Sequence, residues 1–238
     1  MPGAGRLRAV LFDYGRTLVT FDYPVAELTA VMESFRPAIE AALGKPAPSG
    51  GDIVEQVLMP LETWIENPDE DEVAYLEVYS AAWRRAGLDL PDALSEQILD
   101  AEQLVWDRAA RPDPSGLEAL AWLRAHGFRT AICSNAPFPP AMMLRQVSSN
   151  GIRERVDAVV FSSQVGRRKP APEVYRAALD AIRVAADEAL FVGDRVREDY
   201  EGPRAVGMQA VICTAHAAER PPDGVRTIES LMDVRRML

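Results

Sequence analysis

Between residues 112 and 213 short apolar runs alternate with helical stretches, and this alternation constrains the fold more than any other feature of the chain. Residues 115–125, 140–150, 171–182 and 199–206 carry helical spacing, while 128–133, 158–161, 189–192 and 209–213 read as strands. Strands separated by helices form βαβ units and a mainly parallel sheet. One further strand belongs to this set. Residues 8–18, Arg-Ala-Val-Leu-Phe-Asp-Tyr-Gly-Arg-Thr-Leu, hold an apolar run that stops at Asp13, ahead of Gly15 and Thr17. Asp13 therefore stands at a strand's carboxyl end, the edge at which open α/β sheets bind ligands because the departing loops diverge.

The segment between these parts is helical in pattern. Residues 23–43, 53–65, 73–86 and 92–110 have apolar positions three and four apart, with breakers at 44–51, 67–69 and 87–91. The expected organisation is an α/β core from residues 1–20 and 111–238, interrupted by a four-helix module at 21–110. The acidic run 66–72 is read as a solvated turn. Trp64, Trp83 and Trp106 are read as packing residues. Asp22, Tyr23, Arg84 and Arg85 are candidates for the face of the module that meets the crevice.

Composition excludes several function classes. A formal charge of -10 and a pI near 4.8 disfavour sequence-independent nucleic-acid binding, so a phosphate-bearing ligand has to be met by local charge. No run of about 18 apolar residues is present to span a bilayer. Residues 1–6 lead into a strand too short for a signal sequence, and a cytoplasmic protein is expected. Residues 3–5, Gly-Ala-Gly, precede the first strand and are read as a flexible terminus, not as a dinucleotide loop. Cys133 and Cys213 lie in apolar strands and are expected to be reduced and buried. With His126 and His216 the only histidines, histidine triads and zinc sites are poor candidates. The chain is expected to be a monomer or a homodimer.

Polar residues at the ends of the expected strands form a chemical set. Asp13 is a carboxylate nucleophile suited to attack a phosphoryl group. Ser134 offers a hydroxyl to a phosphoryl oxygen, and Lys169 supplies a point charge. Asp194 and Asp199 add carboxylates that would repel Asp13 without a cation, and magnesium suits such an oxygen-rich set.

In order and spacing, Asp13 to Thr17, Ser134, Lys169-Pro170 and Gly193-Asp194 with Asp199 resemble the four motifs of the haloacid dehalogenase-like hydrolases. The resemblance implies a Rossmann-like sheet with a helical cap, and usually phosphomonoesterase activity on a small phosphorylated molecule. It implies magnesium held by Asp13, the Gly15 carbonyl and Asp194, with Asp199 orienting a water or adding a hydrogen bond. Gly15, Arg16, Thr17, Asn135 and Arg195 are the expected phosphate-binding positions. The match fails at one point: members that are phosphatases usually have a second aspartate and a glycine where this chain has Gly15 and Arg16. The usual proton-transfer group is thus missing. Three functions remain in view: a magnesium phosphatase or phosphotransferase, a binding protein with little turnover, and a haloacid dehalogenase-type hydrolase.

Overall fold

The computed structural model describes residues 7–66 and 69–238. The expected flexible start at 3–5 and the breaker residues 67 and 68 lie outside these. Six strands form a parallel sheet: β1 (Ala9–Phe12), β4 (Arg129–Ser134), β5 (Ala158–Phe161), β6 (Ala189–Gly193), β7 (Gln209–Cys213) and β8 (Thr227–Ile228). Their spatial order is β5-β4-β1-β6-β7-β8. The chain moves outward from β1 through β4 to β5, then returns to the other side of β1 at β6. That reversal opens a crevice at the carboxyl end of β1.

Alternation along the strands builds two apolar layers. Val10, Phe12, Ile132, Leu190 and Val192 face one side, under helices Pro114–Ala125 and Pro140–Ser149. Ala9, Leu11, Ala131, Cys133 and Phe191 face the other, against helix Pro172–Ile182. Both cysteines are free and buried, as expected.

A two-stranded antiparallel ribbon, β2 (Val19–Thr20) with β3 (Arg111–Pro112), marks where the chain leaves the sheet and returns to it. Between its strands lie helices Val25–Leu43, Tyr75–Arg85 and Asp92–Ala109, and a helical run from Gly50 to Ile65 with one π-helical turn at Val54–Leu58. This module has its own core, centred on Leu28, Met32, Val57, Tyr79, Trp83 and Ile98.

Two expectations need correction. Residues 199–206 do not form one α-helix: a π-helical turn, Val196–Glu201, precedes a single α-turn, Gly202–Ala205. From this turn the Asp199 carboxylate reaches the residues that follow β6, accepting from the Asp194 and Arg195 amides. The acidic run 66–72 is also not simply solvated. The Arg168 amide donates to the Glu70 carbonyl and the Glu72 amide to the Gly166 carbonyl, while Arg167 pairs with Glu70 and Asp71. The run ties the helical module to the sheet.

Candidate active site

Asp13 follows the last residue of β1, Ser134 ends β4, and Asp194 follows Gly193 at the end of β6. Register places these three side by side, because β1 pairs with both β4 and β6. Lys169 arrives from the loop beyond β5. Its ammonium lies 2.7 Å from Asp13 Oδ1 and 2.6 Å from Asp199 Oδ1. Burial alone would lower the lysine's pKa, but the two carboxylates outweigh it and hold the group well above its ordinary value.

The second oxygen of Asp199 accepts from the backbone amides of Asp194 and Arg195. Asp199 thus fixes both the lysine and the loop carrying Asp194. Gly193 is required for this approach, since a Cβ there would collide with the Asp199 carboxylate. Asn135 performs a similar task. Its amide donates to the Lys169 carbonyl at 3.1 Å and its oxygen accepts from the Lys169 amide at 2.7 Å. The Asn135 side chain is therefore committed to placing Lys169.

Asp13, Asp194 and Asp199 are all buried, and one carboxylate oxygen from each falls within 4.8 Å of the others. Burial, with Asp13 and Asp199 nearby, pushes Asp194 up to about 7. Burial also raises Asp199, against the opposing pull of Lys169. Three buried carboxylates, against the Lys169 ammonium and the exposed Arg195 guanidinium, still outnumber the cations near them, and this donor set fits a hard divalent cation.

A cavity of about 390 Å³ opens above these groups, between sheet and helical module. Asp13, Gly15, Arg16, Ser134, Asn135, Lys169, Arg195 and Asp199 line it. Thr17 does not: it is buried, and its hydroxyl has no hydrogen-bond partner among the described residues. Arg16 adopts a left-handed backbone, φ 57°, in the turn after Asp13. Gly15 has no such constraint, and a Cβ there would meet only the Phe21 ring at 3.7 Å.

The module supplies the roof. Of the candidates named for this face, Tyr23 lines the cavity, whereas Asp22 pairs with Arg111 at the ribbon and Arg85 stacks on Trp64. Trp106, read from sequence as packing, also faces the cavity, with Phe21 and Tyr23 set edge-on against it. Glu62, Gln103 and Gln146 line the same space and carried no sequence signal beyond their place on amphipathic helices.

Known proteins resemble this chain in sequence and in fold. A family model described as haloacid dehalogenase-like hydrolase matches residues 7–207. Phosphoglycolate phosphatase of Rhodospirillum rubrum is 34% identical over 108 residues, 45% of this chain and 44% of that protein. The match therefore spans less than half of that relative's length. Glyceraldehyde 3-phosphate phosphatase of Methanopyrus kandleri is 27% identical over 86% of this chain and 83% of its own. The crystal structure of a phosphatase from Thermococcus onnurineus superposes with a TM-score of 0.66 at 21% identity, covering 97% of both chains, which shows a shared fold.

Proposed function

The chain belongs to the haloacid dehalogenase-like hydrolases, and from that premise we propose that it is a magnesium-dependent phosphatase or phosphotransferase for small phosphorylated molecules. The observation that carries the reading is the placement of Asp13. One of its oxygens is held by Lys169, and the residue lines the cavity beside Ser134. The free oxygen attacks phosphorus, the ester bond breaks, and an aspartyl-phosphate forms; water then attacks that phosphorus and regenerates the carboxylate.

Lys169 offsets charge on the nucleophile and on the incoming phosphoryl group. The Ser134 hydroxyl donates to a phosphoryl oxygen, and the exposed Arg16 and Arg195 add positive charge at the mouth. Magnesium would be held by Asp13, the Gly15 carbonyl and Asp194, with Asp199 fixing the loop beneath. When bound, it neutralises charge between carboxylates and phosphate. The helical module serves as a cap that excludes water and selects the leaving group.

The test is phosphate release from an aryl phosphate and a panel of phosphomonoesters, with magnesium and with chelator, for the parent protein and Asp13→Asn. Magnesium-dependent release that the substitution abolishes is the expected result. Absence of release from every ester would overturn the reading in favour of a binding protein.

A further inference from the structure

Cleaving the phosphate ester of an ordinary alcohol calls for a proton on the leaving oxygen, because a bare alkoxide departs slowly. The described residues around the cavity offer few donors. Lys169 is held by two carboxylates, and arginine does not release a proton at neutral pH. Burial raises Tyr14 and Tyr23 above the ordinary phenol range. Asp199 is engaged by Lys169 and two amides, and Asp194, though also pushed up to about 7, does not line the cavity. Glu66 is largely exposed and lies 3.9 Å from Arg195, and Glu198 pairs with Arg197.

Glu62 remains, and its setting differs from all of these. It sits in helix Met59–Ile65, whose end lies over the site: the Ile65 carbonyl accepts from Arg168, the neighbour of Lys169, and Glu66 approaches Arg195, the neighbour of Asp194. The groups acting on Glu62 or acted on by it are Glu66 on its own helix, Tyr23, Glu102 from helix Asp92–Ala109 and Tyr75 from the next helix. All are acids. Burial, reinforced by Glu66, pushes Glu62 up to about 7. Glu62 lines the same cavity as Asp13, and Gly15, which lines it too, brings no side chain of its own into that space.

We propose that Glu62, supplied by the helical module, is the catalytic acid that protonates the leaving oxygen in this chain. The inference rests on the phosphatase reading above. In the first step Asp13 attacks phosphorus, the bond to the leaving oxygen breaks, and that oxygen takes the Glu62 proton, so a neutral alcohol departs. In the second, water attacks the aspartyl-phosphate and gives its proton to Glu62, which restores both carboxyl groups to their starting states and releases inorganic phosphate.

The experiment compares the parent with Glu62→Gln on two probes, 4-nitrophenyl phosphate and glycerol phosphate, across pH 5–9. Glutamine keeps the shape and cannot transfer the proton. The expected result is that kcat for the alkyl ester falls about 100-fold further than kcat for the nitrophenyl ester. The parent's decline in alkyl-ester kcat above pH 7 should vanish in the variant. Equal losses on both probes, no loss on either, or an unaltered pH profile would overturn the role of Glu62 while leaving the phosphatase reading intact. A parent that releases phosphate from neither probe, nor from any ester of the panel named above, would overturn both.

Discussion

Arg168 Nη1, from the loop that carries Lys169, donates to the Ile65 carbonyl at the end of a helix in the module, 2.6 Å away. The same nitrogen lies 3.2 Å from Glu72, and the two side chains are only 8% and 3% exposed. A buried pair broken from one side leaves an uncompensated charge, at a cost of about 3–5 kcal/mol. Arg168→Met is therefore expected to lower Tm by on the order of 10 °C. Arg167→Ala, which removes pairs on the exposed side of the same tether, should cost less than about 1 kcal/mol. Thermal unfolding of both variants checks this, and comparable losses would refute the distinction between the two arginines.

The carboxylate cluster predicts how stability follows pH. Asp194 holds its proton up to about 7 in the folded chain but gives it up near 3.8 when unfolded. The folded state then binds more protons between these values, so stability falls as pH rises from about 4 to about 7. At about 1.4 kcal/mol per unit, the effect is a few kcal/mol. On the proposed function, a divalent cation would take the place of the proton. Calorimetry with chelator should show Tm declining over that range, and magnesium should raise Tm more at pH 7.5 than at pH 5. An equal rise at both values would mean that the cluster does not bind the ion through ionised Asp194.

Much of this arrangement was legible in sequence because a parallel sheet buried on both faces writes itself as apolar runs. Residues 158–161 and 209–213 match β5 and β7 to the residue. The polar residues that end such runs, Asp13, Ser134 and Asp194, stand out against them, although Ser134 and Asp194 could each have been a cap. What stayed hidden depends on partners distant in the chain. Glu70 and Glu72 look like surface charge until Arg167 and Arg168 fold against them. Asn135 looks like a phosphate ligand until both ends of its amide are seen on the Lys169 backbone. Glu62 belongs to a helix whose polar face ordinarily meets water, and only the packing over the crevice leaves it half-buried against the cavity. At two residues each, β2, β3 and β8 are too short to show any period.

Glu102 supplies a separate test inside the module. It is buried, accepts a hydrogen bond from the Tyr79 hydroxyl at 3.1 Å, and is pushed up to about 8, chiefly by burial. The unfolded chain ionises this group near 4.5, so its folded form loses stability as pH rises toward 8. Glutamine at the same place keeps an acceptor for Tyr79 and does not titrate. Glu102→Gln should thus match the parent near pH 5 and exceed it in Tm at pH 8.5. A variant less stable than the parent at both values would show that the carboxyl is needed for a contact glutamine cannot make.

Gly15→Asp probes the same proton from the other wall of the cavity. No positive φ demands glycine there, and a Cβ would rest against Phe21 at ordinary contact distance, so the variant is expected to fold. An aspartate at that point stands two residues from the nucleophile and adds a second carboxyl able to carry a proton. If Glu62 already performs that transfer, the substitution changes alkyl-ester hydrolysis little in the parent and raises it by about tenfold or more in the Glu62→Gln background. The double-mutant cycle separates the alternatives. An equal gain in both backgrounds would mean that the two carboxyls act independently, and Glu62 would then be a residue that shapes the roof without moving a proton.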